Sequence, residues 1–205
     1  MNKPANKILR YTLIILGSII IMGAILGMYV KSIIPKPIGS PIQLQAALFS
    51  KPSAHCLMEG KYIYKSASDL ASMIRHQEVT SVEVVNEFLC NIKNNNFKYN
   101  AIIWLREKEA LEDAAKADAM VKLGDTINKP LLGVPITIKE MFWVKGSPST
   151  LNAKMFGFIA PRDAEVVEQL KSAGAVILGT TNVSFMLSDY QTQGEVYPTG
   201  NNPYD

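Results

Sequence analysis

The stretch LLGVPITIKEMFWVKG, residues 131–146, and the stretch RDAEVVEQLKSAGAVILGTTN, residues 162–182, together decide the fold of this chain. In the first, Val134, Ile136 and Ile138 recur at period two and share one face of a strand over 133–139, with Pro135, Thr137 and Lys139 on the other. After a Gly- and Ser-containing loop, 145–161, the second reads as a helix that Asp163 can cap and Gly174 can end. It leads into AVILG, 175–179, a short apolar run of the kind found in strands covered on both faces. Strand, helix and strand at this spacing imply a right-handed parallel crossover. Lys139 and the TTN at 180–182 then both sit at carboxyl ends of parallel strands, the edge where open α/β sheets place their sites. A lysine there needs explaining, because burying an ammonium costs several kcal/mol unless it is paired or neutralised.

Upstream, SASDLASMIRHQEV, 66–79, gives a short amphipathic helix with Leu70, Met73 and Ile74 on one face. TSVEVVNEFLCNIKNN, 80–95, opens with a capping box, Thr80 and Glu83, and places Val82, Val85, Phe88, Leu89 and Ile92 in a core stripe. AIIWL, 101–105, reads as a strand, and EKEALEDAAKADAMVKLGD, 107–125, as a helix stopped by Gly124, its carboxylates forming a solvated face.

The N-terminal third differs. YTLIILGSIIIMGAILGMYV, residues 11–30, has no charged residue, and at 1.5 Å per residue it matches the roughly 30 Å hydrocarbon core of a membrane. Lys3, Lys7 and Arg10 precede it and put the N-terminus in the cytoplasm; Lys31 and Lys36 weaken that bias without reversing it. KSIIPKP follows in place of a small-x-small cleavage site, which favours an uncleaved signal anchor over a cleaved signal peptide. Gly23 and Gly27 have the GxxxG spacing that supports helix pairing. Residues 31–60, with Pro35, Pro37, Pro41 and Pro52, read as a stalk in which LQAALF can form a short helical turn. The expected organisation is a cytoplasmic tail at 1–10, a transmembrane anchor at 11–30, a stalk at 31–60 and a domain at 61–205 that is periplasmic or extracellular.

Composition narrows the function. Of 205 residues, 48% are apolar, and the net charge is +3 with no basic stripe interleaved with aromatics, which excludes a nucleic-acid reader. Cys56 and Cys90 have no metal-ligand spacing, and a single bridge between them can form if the domain is exported. His55 and His76 are isolated, so no metal site and no Ser/His/Asp set is expected.

Five stretches occur in the order found in the amidase signature family: DLASMIRHQEVTSVEVVNEFLCNI, YNAIIWLREKEALEDAAKAD, PLLGVPITIKE, APRDAEVVEQLKSAGAVILGTTN and PTGNNPYD. The chain resembles that family over residues 66–205. The resemblance implies a mixed sheet covered by helices and hydrolysis of a carboxamide C–N bond without a cofactor. It also implies a serine nucleophile, a second serine beside a cis peptide bond and a lysine, the last at Lys139. A serine hydroxyl needs a base to remove its proton. Lysine serves only when neutral, and since its reference pKa is about 10.4, a closed, desolvated cleft is the usual means of making it so. The second serine would relay the proton to the leaving amine, and backbone N–H groups of a Gly-rich segment would hold the oxyanion.

Thr181 and Asn182 align with a family segment near the active-site cleft, and Leu187 and Ser188 fall where relatives line the acyl pocket. Val183, Ser184 and Phe185 depart from the common TNMPE pattern. Both family serines lie beyond Asp205. Ser147 and Ser149 cannot replace them, because KGSPST lacks the glycine-flanked strand-to-helix turn that builds an oxyanion hole. The expectation is therefore the N-terminal portion of a membrane-anchored amidase, inactive by itself. Its substrate would be a small-molecule or peptide amide, with apolar acyl amides or peptide-type amides favoured over tRNA-linked glutamine chemistry. The alternative is a non-catalytic, membrane-anchored binding or scaffold protein derived from the same fold.

Overall fold

The computed structural model describes residues 16–29, 45–52, 54 and 56–204, which fall in two compact units, 1–36 and 37–205. The first unit contains helix α1, residues 16–29, which carries no charge and leaves Ile20, Met22 and Leu26 exposed. The span expected over 11–30 includes residues 11–15 and 30, which lie outside the described residues, as do the tail at 1–10 and residues 31–44. Among the described residues no helix is long and apolar enough to cross a membrane.

The second unit is a three-stranded mixed sheet with helices on both faces. Its elements are α2 (Ala67–Arg75), α3 (Ser81–Tyr99), β1 (Ile102–Leu105), α4 (Glu107–Lys122), β2 (Pro135–Lys139), α5 (Glu165–Ser172) and β5 (Val176–Thr181), with the short strands β3 (Pro148–Ser149) and β4 (Phe158–Ile159) pairing separately. The sheet order is β1-β5-β2. β5 runs parallel to β2 and antiparallel to β1, so the crossover through α5 joins neighbouring strands, as the sequence spacing requires. Val85, Leu89, Ala110 and Ala114 from α3 and α4 cover one side of β5 at Val176 and Leu178. Val167 of α5, with Ile138 and Val144, closes on Ile177. β5 is thus buried along nearly its whole length, which is why AVILG needs no polar alternation.

Two glycines are fixed by steric contact. Gly174 ends α5 at φ +93°, where an added Cβ would lie 2.6 Å from Leu132 Cα. A Cβ on Gly179 would lie 2.1 Å from the Trp104 carbonyl oxygen, so only glycine lets β1 reach β5 at this point.

The starts of α2 and α3 are set by capping boxes. Thr80 Oγ1 accepts from Glu83 N at 3.1 Å, and Glu83 Oε2 accepts from Thr80 N at 2.9 Å. The α3 stripe is rotated from the expected one: Val84 and Val85 are fully buried and Leu89 nearly so, whereas Val82, Phe88 and Ile92 are only partly buried. Asp118 is an exception to the solvated face expected of α4. Its two carboxylate oxygens accept from Ser81 N at 2.6 Å and Val82 N at 3.1 Å, an anion at the positive end of α3. Asp163, expected to cap α5, does not, since Ala164 holds the N-cap position. Its carboxylate is taken by Lys145 N at 2.7 Å and Lys171 Nζ at 2.6 Å.

The stalk expected over 31–60 is corrected at its C-terminal end, where the described residues 45–52, 54 and 56–60 belong to the domain. A 3₁₀ turn, Ala46–Phe49, packs on α3 and β1. Cys56 is disulfide-bonded to Cys90 of α3, and Asn94 exchanges two hydrogen bonds with the Cys56 backbone. Side-chain amides also occupy the outer edge of β1. Gln45 gives and takes one bond each with Leu105, at 2.8 and 2.7 Å. Asn96 does the same with Ile102, at 2.9 and 2.8 Å, and also donates to Leu48 O at 3.0 Å. Among the described residues no strand lies outside β1, and these amides make the ladder bonds that one would make. Asn96→Leu should cost about 3 kcal/mol in urea unfolding, because it leaves buried backbone groups unpaired. A loss under about 1 kcal/mol, with the Ile102 amide still protected from exchange, would contradict this role for Asn96.

Candidate functional site

β2 and β5 end together: Lys139 and Thr181 are register partners, and Glu140 N donates to Thr181 O at 3.2 Å. Lys139 closes a turn through Phe142 N at 2.9 Å. Its side chain is exposed and has no partner among the described residues, so the closed, dry cleft expected around it is not formed by them. The alternation that turns Lys139 outward turns Glu140 inward, where its side chain has no exposed surface.

The Glu140 carboxylate accepts the backbone N–H of Thr150, that of Leu151 at 3.2 Å from each oxygen, and the Tyr197 hydroxyl at 3.4 Å. Burial pushes its carboxyl above the ordinary carboxylate range, and these donors oppose the shift without cancelling it. Burial likewise pushes the Tyr197 phenol up, with Glu140 adding to the effect. Beside this pair lies Asn152, fully buried at φ +51°. Its Nδ2 donates to Val183 O at 2.7 Å, and its Oδ1 accepts from Val196 N and Tyr197 N, both at 3.0 Å. Glu140 and Asn152 together pin three separate stretches, 150–152, 183 and 195–197, around the strand ends.

Asn182 Nδ2 donates to Asn100 O at 3.0 Å and Pro198 O at 2.8 Å, and its Oδ1 accepts from Val183 N at 2.9 Å. Its side chain is therefore occupied in holding the chain beyond β5. Thr181 is half-buried at the strand end beside Lys139. Leu187 is half-buried at φ +60°, and Ser188 is exposed, its hydroxyl donating to Phe185 O at 2.7 Å within the same turn. The structure thus brings Lys139 and Thr181 together, with Asn182 as a strut behind them. Ser147 and Ser149 are buried in the β3 hairpin, and Ser147 Oγ accepts from Arg106 Nη1 at 3.3 Å. His76 ends α2 within bonding distance of Ser72, while His55 lies outside the described residues. No group of three or more metal-ligating side chains occurs among the described residues.

Sequence reasoning missed Glu140, Asn152 and Tyr197. The signal for Glu140 was available, since period two puts it on the inward face with Ile138. Asn152 in STLNA and Tyr197 in EVYP carry no local signal. A cleft of about 780 Å³ lies elsewhere, between the 45–56 segment and the start of α4 at Glu107, and includes none of these groups.

A mixed sheet whose parallel strands present a lysine beside a buried polar cluster defines an α/β protein with a strand-end site. The amidase family model matches residues 83–205, and the chain belongs to that family. It is 36% identical over 141 residues to a glutamyl-tRNA(Gln) amidotransferase subunit of Rhodopirellula baltica and 40% identical over 149 residues to fatty-acid amide hydrolase 2-A of Danio rerio. In each case the match covers 68% of this chain and 28% of the relative. Among solved structures, a fatty acid amide hydrolase superposes with a TM-score of 0.66 at 26% identity over 83% of this chain and 31% of that one. A peptide amidase of Stenotrophomonas maltophilia gives 0.57 at 27% identity over 61% and 26%. The chain therefore spans somewhat under a third of the length of these relatives, and amide hydrolysis is the chemistry of the family.

Glu140 yields a signed prediction. A carboxyl whose folded pKa is raised contributes most stability below its unfolded value of about 4.3, and loses that contribution as pH rises through the folded value. The stability of the native chain relative to Glu140→Gln, which does not titrate, should decline as pH rises from about 4 toward neutrality. Denaturant titrations of both proteins across that range check it; a relative stability that instead increased with pH would show a carboxylate stabilised as the anion.

Proposed function

We propose that this chain supplies the base of a serine-dependent hydrolase of linear amides, with Lys139 taking the proton from a serine carried elsewhere in the whole protein. The observation that carries this reading is the register of Lys139 with Thr181 at the carboxyl ends of two parallel strands, within a chain of the amidase family. Among the described residues Lys139 is exposed and has no serine beside it, so the base and its desolvation are completed only in the whole protein. In this reading Thr181, beside Lys139, borders the substrate, and Leu187 and Ser188 line its acyl part.

The proposed location is a membrane surface, with residues 11–30 as anchor and the domain outside the cytoplasm. The uncharged run 11–30 of the sequence motivates the anchor; the helix at 16–29 falls within it but is by itself too short to cross a membrane. The Cys56–Cys90 bridge supports the location, because disulfides persist in oxidising compartments and are rare in the cytosol. Apolar acyl amides or peptide-type amides suit such a position.

In the whole protein, Lys139→Ala should lower amide turnover by about 1000-fold with the fold retained, as expected for loss of the proton-transfer group. Near-normal hydrolysis by that variant would refute the assignment of Lys139 as base, whereas a whole protein with no amide turnover at all would favour the non-catalytic scaffold reading. For location, thiols trapped by alkylation at the moment of cell lysis should leave Cys56 and Cys90 unmodified until a reductant is added. Free, alkylated thiols at both positions would place the domain in a reducing compartment.

A further inference from the structure

We propose that Glu140 is the positioning residue for Lys139, an inference that rests on the hydrolase reading above and names the group that sets its base in place. The peptide joining the two residues is held from two sides. On the sheet side, Glu140 N donates to Thr181 O at 3.2 Å. On the other, the fully buried carboxylate grips Thr150 N, Leu151 N and the Tyr197 hydroxyl. The turn closed by Phe142 N on Lys139 O fixes the next step of the chain. With both flanks held, the Cα–Cβ direction of Lys139 is determined by the core, although the residue itself is exposed.

Packing alone does not call for a carboxylate here. A buried carboxyl with no cationic partner is expensive to ionise, so the side chain must be held by the donors it collects. Among the described residues Glu140 makes no ion pair, and Tyr197 is the one titratable side chain that bonds it. What a carboxylate offers is two acceptor oxygens that collect donors from the 150–151 loop and the 195–197 segment at once. Those donors reach it from stretches that Asn152 also ties together, so the strand end, the loop and the returning chain form one connected support. A base displaced by about 1 Å can lose about 100-fold in rate, so support of this kind has a kinetic consequence separate from stability.

The test compares kcat and KM of the whole protein carrying Glu140→Gln, Glu140→Leu, Tyr197→Phe or Lys139→Ala. Glu140→Gln keeps an oxygen where Thr150 N and the Tyr197 hydroxyl meet, and should retain kcat within about fivefold. Glu140→Leu fills the space without accepting any bond, and should lose about 100-fold in kcat with KM within about threefold of native. If Glu140→Leu fails to fold, Tyr197→Phe decides: it removes one hydroxyl without changing shape, and should lower kcat at least about threefold at constant KM. The inference is overturned if Lys139→Ala is inactive while Glu140→Leu, or in its place Tyr197→Phe, turns over like the native protein. It is equally overturned if Gln and Leu at 140 lower kcat alike, which marks a merely structural role. Turnover that survives Lys139→Ala would instead remove Lys139 as the base, the part of the hydrolase reading on which this inference rests, a distinguishable result.

Discussion

The second unit depends on keeping β5 dry. A strand with the sequence VILGTT exposes apolar side chains on both faces, so it is stable only as the middle of a sheet that is itself the middle layer. β1 and β2 satisfy its backbone, α3 and α4 cover one face, and α5 covers the other. That burial demands close approach, visible at Gly179, where the Trp104 carbonyl leaves no room for a side chain. Once β5 is fixed, the register of β2 follows, and with it the pairing of Lys139 with Thr181.

The two edges of this sheet are treated differently. Along β1, Gln45 and Asn96 satisfy Leu105 and Ile102 with paired amide bonds, so that edge is finished by side chains in place of another strand. Along β2 no strand lies on the outer side among the described residues. Buried carboxylates recur as organisers within the same unit: Glu87 accepts from Ile63 N at 3.1 Å, and Glu140 performs the corresponding task beside the site.

Much of this was readable from periodicity and capping. The period-two run at 134–138, the capping box at Thr80 and the glycine stops at Gly124 and Gly174 are local signals, and local signals decide where elements begin and end. What escaped detection were bonds between distant parts of the chain. Asp163 looked like a cap because it precedes a helix, yet Lys145 and Lys171 compete for its oxygens. Residues 45–60 looked like a linker because of proline and small residues, yet Gln45 reaches across 60 residues to Leu105. The candidate site divides in the same way. The position of Lys139 at a strand end was legible from its period-two run, whereas Asn152 acts through partners more than 30 positions away and carries no motif of its own.

The bridge between Cys56 and Cys90 has a mechanical meaning as well as a chemical one. Closing a loop over a separation of 34 residues restricts the unfolded chain by about 4 kcal/mol in the chain-entropy account. It also sets a limit on peeling. Tension entering from the N-terminal side meets first the weak bonds of Gln45 and the 3₁₀ turn, which can yield one at a time. At Cys56 it meets a covalent link into the middle of α3, the helix that covers β5. A domain pulled from that side would release its leading segment like a shock cord as far as Cys56, and only then would the layer over β5 take the load.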